Sequence, residues 1–243
     1  MTLTTSVTAI IYKLELQPEN IYEQGQVLLI NKPLHWTSFD AVKKIRNLAR
    51  VKKVGHAGTL DPLATGLLII CTGKCTRRIN EFMASEKEYT GTFTLGATTP
   101  SYDLETEPGN FKTIESIRPE LIHQATALFS GNITQIPPAF SAIKKAGKRA
   151  YEMARQGLEV KMEPRNILIS EFQITEIHLP IVGFRVVCST GTYIRSLAMD
   201  FGARLGCGAY LSSLCRTRIG IHTLEQSMTM EEVEREISQN LSF

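Results

Sequence analysis

Gly55-His56-Ala57-Gly58-Thr59-Leu60-Asp61-Pro62-Leu63-Ala64-Thr65-Gly66, followed directly by Leu67-Leu68-Ile69-Ile70-Cys71, is the stretch on which the reading of this chain turns. Its loop half needs glycine at three places and carries one carboxylate and one titratable histidine. A residue ahead of proline is pushed out of the α region, so Asp61 is extended or in a turn rather than on a helix. The apolar run that follows is short and bounded by glycines, which suits a buried strand. The carboxylate thus sits on a tight loop at the edge of a rigid sheet. Two readings follow: Asp-Pro merely opens a β-turn, or the loop is the mount of a catalytic group.

Outward from this stretch, Val27-Leu28-Leu29-Ile30 is a strand candidate stopped by Asn31-Lys32-Pro33. Thr37 or Ser38 then caps a helix with Phe39, Val42, Ile45 and Leu48 as its buried stripe. Residues Lys87 to Thr98 alternate, with Tyr89, Gly91, Phe93 and Leu95 on one face and threonines on the other, which marks a half-exposed strand. Pro119 starts a helix that Gly131 ends. The stretch Gln135-Ile136-Pro137-Pro138-Ala139-Phe140-Ser141-Ala142-Ile143 is too proline-rich for a central strand and too apolar for a free linker. Tyr151, Met153 and Ala154 have helical spacing up to Gly157. Strands return over Ile167 to Ile177 and Gly183 to Cys188, and a turn at Ser189-Thr190-Gly191 leads into a helix from Thr192 to Leu205. Thr229-Met230-Glu231-Glu232 is a capping box ahead of the last helix. Strands and helices mix without a βαβ rhythm, so the class is α+β.

At 243 residues, 43% hydrophobic and 21% charged, the chain reads as a soluble globular protein of one large or two small domains. No apolar stretch reaches the roughly 18 residues of a membrane span. No secretory signal is read before Lys13. Five scattered cysteines without a Cys-x-x-Cys pair point to free thiols in the cytoplasm, and no ligand spacing suggests zinc or another metal. Thr72-Gly73-Lys74-Cys75 is not a phosphate loop, because Leu68 stands where its first glycine is required, so no nucleotide cofactor is expected. A net charge of +3 says less than its distribution. Lys43, Lys44, Arg46, Arg50, Lys52 and Lys53 crowd the approach to the signature stretch; Lys144, Lys145, Lys148, Arg149 and Arg155 form a second cluster; the C-terminus is acidic. That asymmetry suits a polyanion held on one region of the surface, although each cluster alone also reads as a solvated helix face. Arg195, in the first turn of its helix, faces an unfavourable dipole and, if buried, needs a carboxylate or phosphate partner.

The twelve-residue loop resembles the signature of the TruB-type tRNA pseudouridine synthases, Gly-His-x-Gly-x-Leu-Asp-Pro-x-Ala-x-Gly, at every fixed position. The resemblance runs from about Gly25 to Gly220. It implies the pseudouridine synthase fold, a mixed, mainly antiparallel central sheet flanked by helices, with Asp61 as the catalytic residue. Gly191-Thr192-Tyr193-Ile194-Arg195 resembles a second motif, whose arginine would pair with Asp61 and whose Tyr193 would line the uridine pocket. Lys87-Glu88-Tyr89 is similar to a third, placing the Tyr89 ring on the target base; otherwise it reads as a core strand tyrosine. By the same resemblance His56 contacts RNA near the flipped nucleotide, Lys32 and Pro33 brace the site, and Leu214 of Leu214-Cys215-Arg216 packs on the reacting base.

The implied reaction converts the T-loop uridine at tRNA position 55 to pseudouridine, with the tRNA T-stem-loop as partner, no cofactor and no metal, in a cytoplasmic monomer. Residues 1–24 would be an N-terminal extension and 25–243 the catalytic domain, with an RNA-clamping insertion over about 132–165 that orders on binding. The chain departs from many bacterial members in having too few residues after Leu214 for a PUA domain. Two rivals stand beside this reading: a noncatalytic RNA-binding or RNA-folding module, and a glycosidic hydrolase, which commonly needs two carboxylates where the loop supplies one.

Overall fold

The run after the signature loop is a strand with Leu67, Leu68, Ile69 and Ile70 all 0% exposed. In the computed structural model, which describes residues 20–145 and 147–241, that strand is the third of eleven. In chain order they are β1 (Val27–Lys32), β2 (Val54–His56), β3 (Ala64–Thr72), β4 (Lys87–Leu95), β5 (Gly131–Gln135), β6 (Lys144–Lys145), β7 (Lys148–Arg149), β8 (Arg165–His178), β9 (Ile181–Cys188), β10 (Ala209–Ile219) and β11 (His222–Thr223). The α-helices are α1 (Ile21–Gln24), α2 (Ser38–Ala49), α3 (Ile79–Ala84), α4 (Pro119–Ala127), α5 (Ala150–Ala154), α6 (Ile194–Arg204) and α7 (Met230–Asn240).

The main sheet runs β1-β3-β10-β4-β9-β8-β5, with β2 added on β3 and β11 on β10. Every pairing in it is antiparallel except β3 with β10. The architecture is therefore α+β with a mixed, mainly antiparallel sheet. Because strand side chains alternate, β3 feeds two cores. Leu68 and Ile70 pack with Val42 and Ile45 of α2 and Val233 and Ile237 of α7. Leu67, Ile69 and Cys71 pack on the other face with Phe82 and Ile219. A third core gathers Phe93, Phe172, Phe184 and Phe201 under α6. The rings of Phe93 and Phe184 are stacked at 4.2 Å.

Local signals set most of these elements. Thr37 caps α2 with its hydroxyl accepting from the Asp40 amide, and Thr229 caps α7 in the same way through Glu232. Four readings need correction. Phe39 is 60% exposed, because the inner face of α2 is Ser38, Ala41, Val42, Ile45 and Ala49, and Phe39 lies beyond its edge. Helix α4 ends at Ala127, and Gly131, with φ +88°, opens β5 instead. Strand β4 stops at Leu95, where Gly96 turns at φ +91°. The long strand β10 lies where only a motif was read.

Of residues 1–24, expected to form an N-terminal extension, 1–19 fall outside the described residues. Its last turn, α1, inserts Tyr22 (1% exposed) into the core between β3, α2 and α7. Over 132–165 the chain runs along β8 as β5, makes the β6–β7 hairpin and α5, and returns into β8.

Candidate active site

Asp61 does open a turn: the Ala64 amide donates to its carbonyl at 3.0 Å, and β3 leaves from there. The turn is gripped from both sides. Ser38, at the start of α2, accepts from the Leu60 amide at 2.9 Å and donates to the Leu60 carbonyl at 3.2 Å. The His35 amide donates to the Pro62 carbonyl at 2.8 Å. The turn reading holds, and this clamped turn is what carries the Asp61 carboxylate.

Arg195 enters from α6, 3% exposed. Its Nη2 donates to Asp61 Oδ1 at 3.2 Å, and its Nε lies 2.9 Å from Oδ2. The same guanidinium is 3.6 Å from the buried Asp103 carboxylate and donates to the Ser101 carbonyl at 3.4 Å. A cation in a first helical turn is disfavoured by the helix dipole, and two carboxylates offset this. Burial pushes the Asp61 carboxyl above its ordinary value; Arg195 opposes this, while Asp103 and Glu105 add to it. Its side chain keeps 36% of its surface, on a cavity of about 310 Å³ that it helps to line. Leu34, Leu63, Leu104 and Leu214 supply apolar walls there, with Asp103 as the second carboxylate. Such a chamber suits a flat, uncharged ring presented to an acid.

Three buried cations are solvated by backbone carbonyls. Lys32 (0% exposed) donates to the carbonyls of Pro33 at 2.9 Å and Trp36 at 2.6 Å. Its pKa is lowered to about 8 by burial, with Asp61 pulling the other way. Lys87 donates to the carbonyls of Met83 and, at 2.6 Å, Ser85; burial lowers it to about 8 as well. Arg216 (1% exposed) donates to the carbonyls of Leu67 at 2.8 Å and Gly58 at 3.1 Å, tying β10 to β3 and to the signature loop. Tyr89 pairs with Arg216 in the β4–β10 register. Burial raises its hydroxyl above 10, the Arg216 guanidinium opposing, so it stays neutral and able to donate. Burial, and then the same guanidinium, lower the pKa of His56 at the end of β2 from its ordinary value.

The structure therefore brings Asp61 and Leu214 together in one cavity lining, with Arg195 holding the Asp61 carboxylate from the buried side; Lys32 and Tyr89 are buried and do not line the cavity. Tyr193 is set apart from the cavity lining. Its backbone amide and carbonyl are both held by the Gln135 side chain, at 2.8 and 3.1 Å, and the Arg165 guanidinium lies over its ring at 4.6 Å. Asp103 and the buried role of Arg216 were missed in the sequence. A lone acid in Thr98-Thr99-Pro100-Ser101-Tyr102-Asp103 has ordinary turn composition. The strand carrying Arg216 is broken by register shifts at Leu211/Ser213 and Arg216/Arg218, which blur its alternation.

A carboxylate turn clamped by a buried arginine beside an apolar cavity, on this mixed sheet, is an arrangement that fits the pseudouridylate synthases, and sequence and structural matches place the chain among them. The family model for the TruB pseudouridylate synthase N-terminal domain matches residues 46–194, and that for the tRNA pseudouridylate synthase B C-terminal domain matches 195–240. The chain belongs to the TruB family. It is 53% identical to the tRNA pseudouridine synthase B of Flavobacterium johnsoniae over 91% of its own length and all of that protein. Identity to the protein of the same name from Parabacteroides distasonis is also 53%, covering 89% and 95% of the two chains. Among solved structures it is similar to a chain of a Cbf5-Nop10-Gar1 complex, at 29% identity and TM-score 0.69. It is likewise similar to one of an H/ACA RNP bound to a substrate RNA containing 2'-deoxyuridine, at 27% and 0.68. It covers 89% and 91% of itself in these two matches but spans little over half, 55% and 56%, of those longer chains.

Proposed function

We propose that this chain is the tRNA pseudouridine synthase that isomerises uridine 55 of the T-loop, with Asp61 as its catalytic carboxylate. The observation that carries the assignment of the site is the Asp61–Arg195 pair on the apolar cavity. The C1'–N1 bond of the uridine breaks, the uracil turns, and C5 bonds to C1'. The hydrogen displaced from C5 is balanced by one gained at N1, so no atoms are added or lost. A base in a folded loop must be flipped out to reach a recessed carboxylate. Asp61 acts ionised, and Arg195 holds it so against the burial. Tyr89 and Leu214 bound the base, His56 meets the RNA beside it, Tyr193 fixes the start of α6, and Lys32 with Pro33 braces the turn.

The T-stem-loop is the recognised element. Residues 25–243 act as the catalytic domain, and 132–165 clamp the RNA. The protein works as a cytoplasmic monomer; its five free cysteines suit a reducing compartment, and no described helix is long and apolar enough to cross a membrane. Asp103 supplies the second carboxylate that a glycosidic hydrolase would want. It is, however, turned to Arg195 and accepts the Glu105 amide at 3.0 Å, which makes it a positioning partner.

The test uses an unmodified tRNA transcript, carbodiimide labelling and primer extension. Wild type should produce a stop at the T-loop uridine with uracil retained on the RNA. Asp61→Asn should bind the transcript equally but turn over at least ~10²-fold more slowly. Release of free uracil would favour the hydrolase, and binding without modification by wild type would favour the binding module.

A further inference from the structure

We propose that His35 contacts the RNA backbone at the mouth of the Asp61 cavity, presenting its imidazole to a phosphate that flanks the flipped nucleotide. This rests on the reading of that cavity as the uridine site. Three observations converge on His35. It has φ +66°, the left-handed region that favours glycine, so a side chain is kept here against the backbone's preference. Strain of this kind clusters at functional sites. Second, His35 is exposed and lines the cavity together with Asp61 and Asp103. Among the described lining residues it is the one side chain that can carry positive charge. A nucleotide entering a chamber with two carboxylates brings its own anionic phosphates to the rim. Arg195 is spent on the carboxylates from the buried side, and the Ser212 and Ser213 hydroxyls in the lining are uncharged, which leaves His35 as the lining group able to meet a phosphate with charge. Third, the turn is rigid and coupled to the catalytic loop. The Lys32 ammonium holds the carbonyls of Pro33 and Trp36, on either side of Leu34 and His35. The His35 amide holds the Pro62 carbonyl at 2.8 Å, next to Asp61 itself. A donor on such a turn keeps its distance to the reacting carboxylate.

The left-handed backbone makes the test clean, because His35→Gly removes the imidazole while relieving the φ preference. The variant should fold with an unchanged or higher Tm. Its KM for the tRNA transcript should rise about tenfold, with kcat within about twofold. The slope of log Kd against log salt should become shallower by up to about one, the signature of one lost phosphate contact. His35→Lys should recover both KM and slope. A His35→Gly enzyme with wild-type KM and wild-type salt slope overturns the proposal and leaves His35 a tolerated loop residue. Asp61→Asn is assayed alongside. If it is inactive while His35→Gly behaves as wild type, this contact alone fails. If it is active, the reading of the cavity fails, and the reason to expect a phosphate at His35 goes with it.

Discussion

In the proposed reaction Asp61 acts ionised, and its own burial works against that. The acid limb of the pH–rate profile should therefore lie above the ordinary aspartate value of 3.8. Arg195 lowers the Asp61 pKa and Asp103 raises it. Arg195→Met should accordingly move the limb to higher pH, whereas Asp103→Asn should move it lower, even though both slow the reaction by loosening the clamp. Single-turnover rates over a pH series that starts below the ordinary aspartate value and runs to neutrality separate these signs; limbs moving together in both variants would contradict the pairing. The same shift has a stability side. Below the ordinary value the carboxyl is neutral in folded and unfolded chains alike. As pH rises past it the unfolded chain ionises first, so Asp61 withdraws stability until its folded pKa is passed.

At the level of elements, the site depends on the parallel pairing of β3 with β10, which carries Leu214 opposite Ala64 and Arg216 opposite Gly66. Gly66 has φ +101°, and a Cβ there would lie 2.4 Å from the Arg216 carbonyl oxygen and 2.7 Å from its nitrogen. Those are backbone atoms and cannot swing aside. Gly66→Ala should cost more than about 2 kcal/mol and lower Tm by about 4–8 °C or more. Gly131→Ala provides the contrast: φ is +88°, but nothing lies within 4 Å of the added Cβ. It should cost only the left-handed strain, about 1–2 kcal/mol. Thermal melts of the two variants check this, and equal losses would mean that close approach at Gly66 is unimportant. β3 was legible because an unbroken apolar run needs no alternation to be noticed. β10 was not, because two bulges shift its period where it turns side chains toward the cavity.

Across the whole molecule, charge is rearranged by packing. The sequence separates a basic cluster before the signature loop from an acidic C-terminus, yet α7 packs along α2 and Lys44 pairs with Glu234 at 2.9 Å. In the second cluster, Arg155 pairs with Glu105 at 2.7 Å and Lys145 with Glu163 at 3.6 Å. Lys144, Lys148 and Arg149 are exposed on the β6–β7 hairpin without an ion-pair partner among the described residues. Replacing these three by glutamine should weaken tRNA binding and reduce the salt slope by up to about 2.7, at roughly 0.9 per lost phosphate contact. Lys44→Gln should leave the slope nearly unchanged. Filter binding across a salt series decides between them.

Short-range chemistry determined much from sequence alone. Proline restriction set the Asp61 turn, hydroxyl capping set the starts of α2 and α7, and apolar runs and alternation set β3 and β4. The twelve-residue loop, through its resemblance to the TruB signature, put Asp61 forward as the candidate catalytic carboxylate. What lies far apart in the chain was decided by tertiary structure. Asp103 meets Arg195, Arg216 is buried on the carbonyls of Gly58 and Leu67, and the acidic helix α7 neutralises part of α2. A buried charge is tolerated only where packing supplies its partners, and those partners come from distant strands and loops that local pattern does not connect.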